Sequence, residues 1–199
     1  MAKRIRRDYD IYLAPRIRGY YEHDSPMVLD EKSNRYLDPY DIDSKVIIYE
    51  RQVKEWFLNR ATRYLRGDNG GFVVLMICIS YLEGIQQYRQ GESSRNRSSE
   101  FFRNSIHRLY SNQFSDNQIN QLYSQARCGL FHNGMVDGKV IINSEFENSI
   151  EFPDSETIRI NQRILLNDIK KDLNDYVNVL KDTEQIEFRQ NFDQMFTNL

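Results

Sequence analysis

The sequence contains little that would indicate a secreted or membrane-spanning protein. Only two of its 199 residues are cysteine, too few for a disulfide framework. The longest apolar run, residues 72–82, is interrupted by Ser80 and is shorter than the ~18 residues that a membrane span needs. Asp8, Tyr9 and Asp10 follow the first basic residues where a secretory signal would have its apolar core. We therefore expect a cytoplasmic protein with no membrane partner.

The sequence also has no large excess of either charge, because it contains 27 Lys and Arg and 29 Asp and Glu, for a formal net charge of −2. This balance excludes a strongly cationic nucleic-acid coat and a polyacidic tail protein. The charge is unevenly distributed, however. Residues 1–139 carry 21 Lys and Arg against 17 Asp and Glu, whereas residues 140–199 carry 6 against 12. An RNA partner would approach the first part, although an unevenly charged, solvated surface explains the same pattern.

Proline is scarce, and three of the four prolines lie within residues 1–44, which show no sustained periodicity. We interpret residues 1–43 as an irregular N-terminal arm with room for a short strand. Helical spacing begins with Ser44 as a plausible N-cap and predicts a helical domain over residues 44–182, followed by a helical tail over 183–199. Alternating apolar residues within about 136–161 predict a small β-hairpin. The predicted fold is therefore mainly α: a bundle of four to five helices with a small β-hairpin insertion before the last long helix.

Two of the predicted helices are central to the functional argument. The helix from Phe72 to about Arg89 begins apolar on every face, which is typical of a buried central helix. A later helix begins at Ser115, which forms a capping-box pair with Gln118, and ends near Asn133.

The end of this later helix contains Arg127 and, five residues further on, His132. On an ideal α-helix the two positions are about 140° apart, so one helix does not easily direct both side chains at one substrate atom. His132 lies off the apolar stripe, which favours an exposed or interfacial position over a packing role. If two copies of this helix met across a two-fold axis, an arginine and a histidine from each would converge on one cleft.

The Arg-x4-His spacing at the end of a late helix, together with the order of the helices, resembles the HEPN superfamily, whose motif is Arg-x4–6-His. Many members are metal-independent endoribonucleases of toxin or phage-defence type that act as homodimers and need no cofactor. The resemblance implies that His132 acts as general acid or base, and that Arg127 binds the scissile phosphate and stabilises its developing charge. It also implies RNA or a nucleotide as ligand, and an antitoxin or another protein as partner.

An alternative reading remains open, because other HEPN domains are non-catalytic dimerisation, nucleotide-binding or interaction modules. Cys128 follows the arginine here, where active members often carry a polar residue. Glu83 either orients Arg127 or His132 from a neighbouring helix or is an ordinary helix-surface residue, and Asn133 is a second candidate for a positioning role. Arg103, His107 and Arg108 form either an RNA-binding face or a solvated basic face.

Three further features allow more than one interpretation. Tyrosines at 9, 12, 20 and 21 are interleaved with arginines, so they either stack nucleic-acid bases or pack an arm onto the core. Cys128 is a weak candidate for a thiolate nucleophile, whereas Cys78 is expected in the core. His23 stands between Glu22 and Asp24 without the spacing of a metal site, so we expect no metal centre.

Overall fold

The structure, a computed structural model, describes residues 4–67, 70–133, 135–136 and 138–196, without the side chains of His132 and Asn133. These residues form six helices and two β-sheets, with 55% of them in helices and 14% in strands. The fold is mixed α/β, so the predicted mainly α bundle is wrong. The chain divides into two compact units. The first holds the residues up to Arg60, Tyr88–Glu92 and those from Leu173 onward, and the second holds Ala61–Gln87 and Ser93–Asp172.

The N-terminal region, expected to be an irregular arm, forms a four-stranded antiparallel sheet in the order β1-β2-β3-β4. Its strands are β1 (Ile11–Ala14), β2 (Ile17–Glu22), β3 (Ser25–Asp30) and β4 (Arg35–Leu37). His23 and Asp24 form the two-residue turn between β2 and β3, with φ of 45° and 62°. Two positive φ values are what the favoured hairpin turn requires, but His-Asp is not its usual sequence. The sequence therefore gives no recognisable hairpin signal at residues 23 and 24.

Two helices of the first unit pack together, and the first of them also contacts β1. Helix α1 begins as Ile42–Arg51, continues through π-helical Gln52–Leu58 and ends as Asn59–Tyr64, the last turn belonging to the second unit. Its N-cap is Asp41, whose carboxylate accepts the Ser44 N–H, so the expected cap at Ser44 is wrong. Helix α6 (Ile186–Phe196) contributes Phe192, whose ring lies 5.4 Å from that of Tyr49.

The second unit contains most of three helices and the start of a fourth. Helix α2 (Gly71–Gln90) and α3 (Ser98–Leu109) precede α4, which is α-helical over Asp116–Leu122 and π-helical over Tyr123–Asn133, and α5 spans Gln162–Lys181. In the part of the chain that the structure describes, α2 alone is long and apolar enough to pass a length-and-composition test for a membrane span. Its apolar residues Val74, Leu75 and Cys78 are buried, but Phe72, Val73 and Met76 are exposed, so the helix is buried on one side and not on every face as expected.

Three short strands precede α5, and they do not form the predicted hairpin insertion. Strands β5 (Val140–Ile142), β6 (Ile150–Glu151) and β7 (Ile158–Ile160) lie in the order β5-β7-β6, with β5 parallel to β7 and β6 antiparallel to it. Alternating isoleucines located the strands correctly. Alternation does not specify which strands pair, so the mixed three-stranded sheet could not be derived from it.

Candidate functional site

The Arg127 segment has a backbone conformation that the sequence pattern did not predict. Helix α4 starts with a complete capping box between Ser115 and Gln118, as expected. From Tyr123 to Asn133 its hydrogen bonding becomes π-helical. In a π-helix residue i bonds residue i+5, so positions five apart return to roughly the same side of the helix. The backbone positions 127 and 132 therefore lie on one side, and the 140° separation of an ideal α-helix does not apply.

Arg127 is held by a carboxylate from α2. Its Nη2 and Nε donate to Glu83 Oε2 at 3.0 Å and 3.3 Å. The other oxygen of Glu83 accepts a hydrogen bond from the Ser94 hydroxyl at 2.9 Å, and Ser94 is itself buried. The Glu83 and Arg127 side chains are only 15% and 20% exposed. Of the two readings of Glu83, the structure therefore shows the one in which it orients Arg127.

Two aromatic rings flank the guanidinium. Arg127 Cζ lies 5.4 Å from the ring centroid of Tyr123 and 5.3 Å from that of Phe131, both within cation–π range. Tyr123 also meets Phe102 of α3 edge to face at 5.5 Å, which ties the π-helical segment to its neighbour. Phe131 is 45% exposed, so the arginine lies between an anchored ring and an open one.

Burial and charge act in opposite directions on this arginine. Desolvation favours the neutral form of Arg127, but the negative charge and hydrogen bonds of Glu83 outweigh it and raise the pKa of the guanidinium. Desolvation likewise raises the pKa of Tyr123. Arg127 is thus a permanently charged group in a partly dry environment, which suits it to stabilise an anion.

The Glu83–Arg127 pair lies on the side of α2 that the second unit leaves open. Val73 and Met76 are 41% and 36% exposed, and a Cβ added at Gly84 would have no neighbour within 4 Å. Together with Ser80 and Glu83 these positions recur every three or four residues, so they share one face of the helix. We call Val73, Met76, Ser80, Glu83 and Gly84 the open face of α2.

The remaining predicted residues are distributed differently. The side chains of His132 and Asn133 lie outside the described part of the chain. Arg108 forms an ion pair with Asp172, a residue that is only 6% exposed. Its guanidinium therefore neutralises a buried carboxylate of the second unit. His107 Nε2 lies 2.7 Å from Asp116, and Arg103 Nη1 lies 3.8 Å from the same carboxylate. Arg103 and His107 therefore cluster around Asp116, away from the charge partner of Arg108.

Sequence reasoning missed three contributors to the Arg127 environment. Tyr123 and Phe131 stand four residues before and after the arginine, a spacing that signals helix neighbours and could have been used. Ser94, which fixes Glu83, gave no such signal because it comes from the loop between α2 and α3.

Comparison with known proteins adds no relative: no family model matches the chain, and no curated protein and no solved structure matches it. The HEPN resemblance therefore stays a prediction that depends on Arg127, His132 and the order of the helices. Among the residues described, no three His, Cys, Asp or Glu side chains are grouped so that they could hold a metal ion.

Proposed function

We propose that this protein is a metal-independent endoribonuclease of toxin or phage-defence type, related to the HEPN superfamily and acting as a cytoplasmic homodimer. The observation that supports this proposal most strongly is the π-helical segment Tyr123–Asn133, which returns position 132 to the side of the helix that carries position 127. Local π-helical segments occur frequently at functional sites. An antitoxin or other inhibitory protein belongs to the same proposal.

The proposed reaction is a transesterification within the RNA strand. His132 takes the proton of a ribose 2′-hydroxyl, whose oxygen attacks the adjacent phosphorus. The bond from phosphorus to the 5′-oxygen of the next nucleotide breaks, and that oxygen receives a proton from water, while the proton taken by His132 returns to the solvent. The products are a 2′,3′-cyclic phosphate and a 5′-hydroxyl. Arg127 stabilises the extra negative charge on the phosphate oxygens, and Glu83 fixes the orientation of its guanidinium.

The decisive experiment is cleavage of a labelled RNA in the presence of EDTA. We expect the wild type to produce fragments ending in a cyclic phosphate, and His132→Ala and Arg127→Ala to reduce the rate by roughly 100-fold or more. His23→Asn is the matched control, because His23 is an exposed turn residue with φ of 45°, a conformation that asparagine tolerates. No cleavage by the wild type, or equal cleavage by wild type and His132→Ala, would contradict the proposal.

A non-catalytic dimerisation module is the second candidate, and the open face of α2 favours it. Val73 and Met76 are large apolar side chains at solvent-exposed positions, as expected of an interface. We expect Met76→Glu to convert a dimer to a monomer in analytical ultracentrifugation. Ile186→Glu, at an exposed apolar residue of α6, should leave the dimer intact. A Met76-dependent dimer that cleaves no RNA would favour the module over the enzyme.

A further inference from the structure

The solvent-facing side of the N-terminal sheet carries one side chain from each strand in a single row. The register pairs Tyr12 with Arg18, Arg18 with Leu29, and Leu29 with Tyr36. Side chains directly opposite each other in neighbouring strands point to the same face. We call Tyr12, Arg18, Leu29 and Tyr36 the tyrosine row.

The row points away from the core. Tyr12 is 50% and Tyr36 62% exposed. Their neighbours on the opposite face of the sheet, Leu13, Ile17 and Val28, are almost completely buried. Since successive side chains alternate between the faces of a strand, this contrast places the two tyrosine rings on the outer surface.

A third ring, that of Tyr20, contacts Arg18 in the middle of the row and Tyr36 at one end. Tyr20 lies two residues beyond Arg18 on β2, and Arg18 Cζ is 4.9 Å from its ring centroid. The Tyr20 hydroxyl lies 3.5 Å from that of Tyr36. Arg18 in turn pairs with Asp10 at 2.9 Å and Glu31 at 3.7 Å. The rings are thus held on a rigid sheet by polar contacts, which lowers the entropy lost when a ligand stacks on them.

The charges at the centre of the row argue against a protein partner. The buried centre of a protein interface is depleted in charged groups, whereas Arg18, Asp10 and Glu31 all belong to the middle of this surface. Exposed aromatic rings beside arginines suit unpaired bases, because every base has a face that stacks. Tyr12 and Tyr36 are three strand spacings apart, roughly 14 Å.

The sheet also offers more accessible cations than anions. Residues 4–37 contain seven Lys and Arg and six Asp and Glu. One of the six, Asp30, is only 3% exposed and is paired with Arg51 of α1. Arg16, in the turn between β1 and β2, and Arg35 are exposed; Arg35 alternates with Tyr36 and therefore lies on the opposite face of β4. This excess of accessible positive charge complements a phosphate backbone.

We propose that the tyrosine row binds a single-stranded segment of RNA by stacking two or three of its bases on Tyr12, Tyr20 and Tyr36. The choice of RNA over DNA as ligand rests on the proposed endoribonuclease activity. The stacking of bases on the tyrosines is argued independently of that activity. This surface would retain the substrate through its bases, a role separate from that of Arg127 at the phosphate.

The test is binding of a short, fluorescein-labelled 2′-O-methyl oligoribonucleotide, which lacks the 2′-hydroxyl needed for cleavage. Fluorescence anisotropy should show that Tyr12→Ala and Tyr36→Ala each weaken binding roughly 5- to 150-fold. Tyr12→Phe and Tyr36→Phe keep the ring and should stay within about threefold of the wild type. Tyr64→Ala removes a tyrosine that is 51% exposed outside the sheet, and it should bind as the wild type does.

Three results would overturn the proposal: no binding by the wild type, equal binding by wild type and alanine variants, or equal losses for the phenylalanine and alanine variants. The phenylalanine variants also guard against a loss of fold, since they test stacking with the sheet intact. Binding that depends on the tyrosines without cleavage of unmodified RNA would support the surface and refute the endoribonuclease. Cleavage of unmodified RNA without tyrosine-dependent binding would support the endoribonuclease and refute the proposed binding surface.

Discussion

Replacing Glu83 with glutamine tests whether this carboxylate holds Arg127. Glutamine has nearly the same shape and keeps an acceptor for the Ser94 hydroxyl, but it removes the negative charge opposite the guanidinium. Arg127 loses the partner that raises its pKa, and its orientation is no longer fixed from α2. The variant therefore changes the ion pair while disturbing the packing little.

The magnitude follows from geometry and burial. Exposed ion pairs contribute about 0.2–1 kcal/mol, whereas a hydrogen bond to a charged group contributes about 1.5–3 kcal/mol. Arg127 donates twice to Glu83, at 3.0 Å and 3.3 Å, and both side chains are at most one-fifth exposed. We expect a coupling energy of about 1–2 kcal/mol, between these two cases.

The assay is a double-mutant cycle of urea unfolding with Glu83→Gln, Arg127→Gln and the double variant. The surface pair Arg97–Glu100, with side chains 47% and 38% exposed at 2.7 Å, is the matched control and should couple more weakly than Glu83–Arg127. If the Glu83–Arg127 coupling is no larger than that of the control, the carboxylate does not hold Arg127. On the proposed mechanism, in which Arg127 stabilises transition-state charge, Glu83→Gln should also lower kcat for RNA cleavage more than it changes KM.

Three further predictions concern stability and reactivity. Arg51 holds the pKa of Asp30 well below its usual range, so their contribution is present above about pH 4 and is lost as the pH falls below it. Asp30→Asn should therefore lower the free energy of unfolding, measured with urea at neutral pH, by about 3 kcal/mol. This difference from the wild type should become smaller in acid, and a difference independent of pH would contradict the prediction. Burial raises the pKa of Cys78 to about 12, so a thiol reagent at pH 8 should label half-buried Cys128 first and Cys78 only on unfolding; equal native rates would contradict it. The Asn161 side chain accepts hydrogen bonds from two N–H groups at the start of α5 and donates to two loop carbonyls. Asn161→Ala should therefore lower the free energy of unfolding by about 2 kcal/mol. A loss below about 0.5 kcal/mol would show that this cap is dispensable.

Local patterns predicted the helices better than the sheets. The capping box at Ser115 was correct, and so was the burial of one side of α2, because both depend on neighbours three and four residues away. The N-terminal strands were missed because their turns use His23-Asp24 and Asn34 in place of the usual glycine sequences. Strand pairing around β7 is non-local, so the parallel contact of Val140 with Ile158 gave no sequence signal.

Two residues of the Arg127 environment could be named from the sequence, but its geometry could not. Arg127 and Glu83 were both identified, and their types suggested a pair, but their contact depends on how two helices pack. The π-helical hydrogen bonding is a departure from ideal helix geometry that tertiary contacts stabilise, so helical spacing of apolar residues does not reveal it. Arg108 was assigned to a basic face, because nothing in its own helix indicates that buried Asp172 lies opposite it.

The Glu83 contact also constrains how Arg127 can contribute to RNA recognition. Arg127 keeps its charge, but the pair that it forms with Glu83 has little net charge, so it exerts little long-range attraction on a phosphate. The value of the guanidinium is then greatest when charge develops on the phosphate in the transition state, since a fixed donor stabilises that charge without reorganising. On the proposed mechanism, affinity for the substrate must come from other surfaces, and the proposed stacking on Tyr12 and Tyr36 would supply it. The proposed division between a charge-paired arginine for catalysis and an aromatic surface for binding would let a chain of net charge −2 act on RNA.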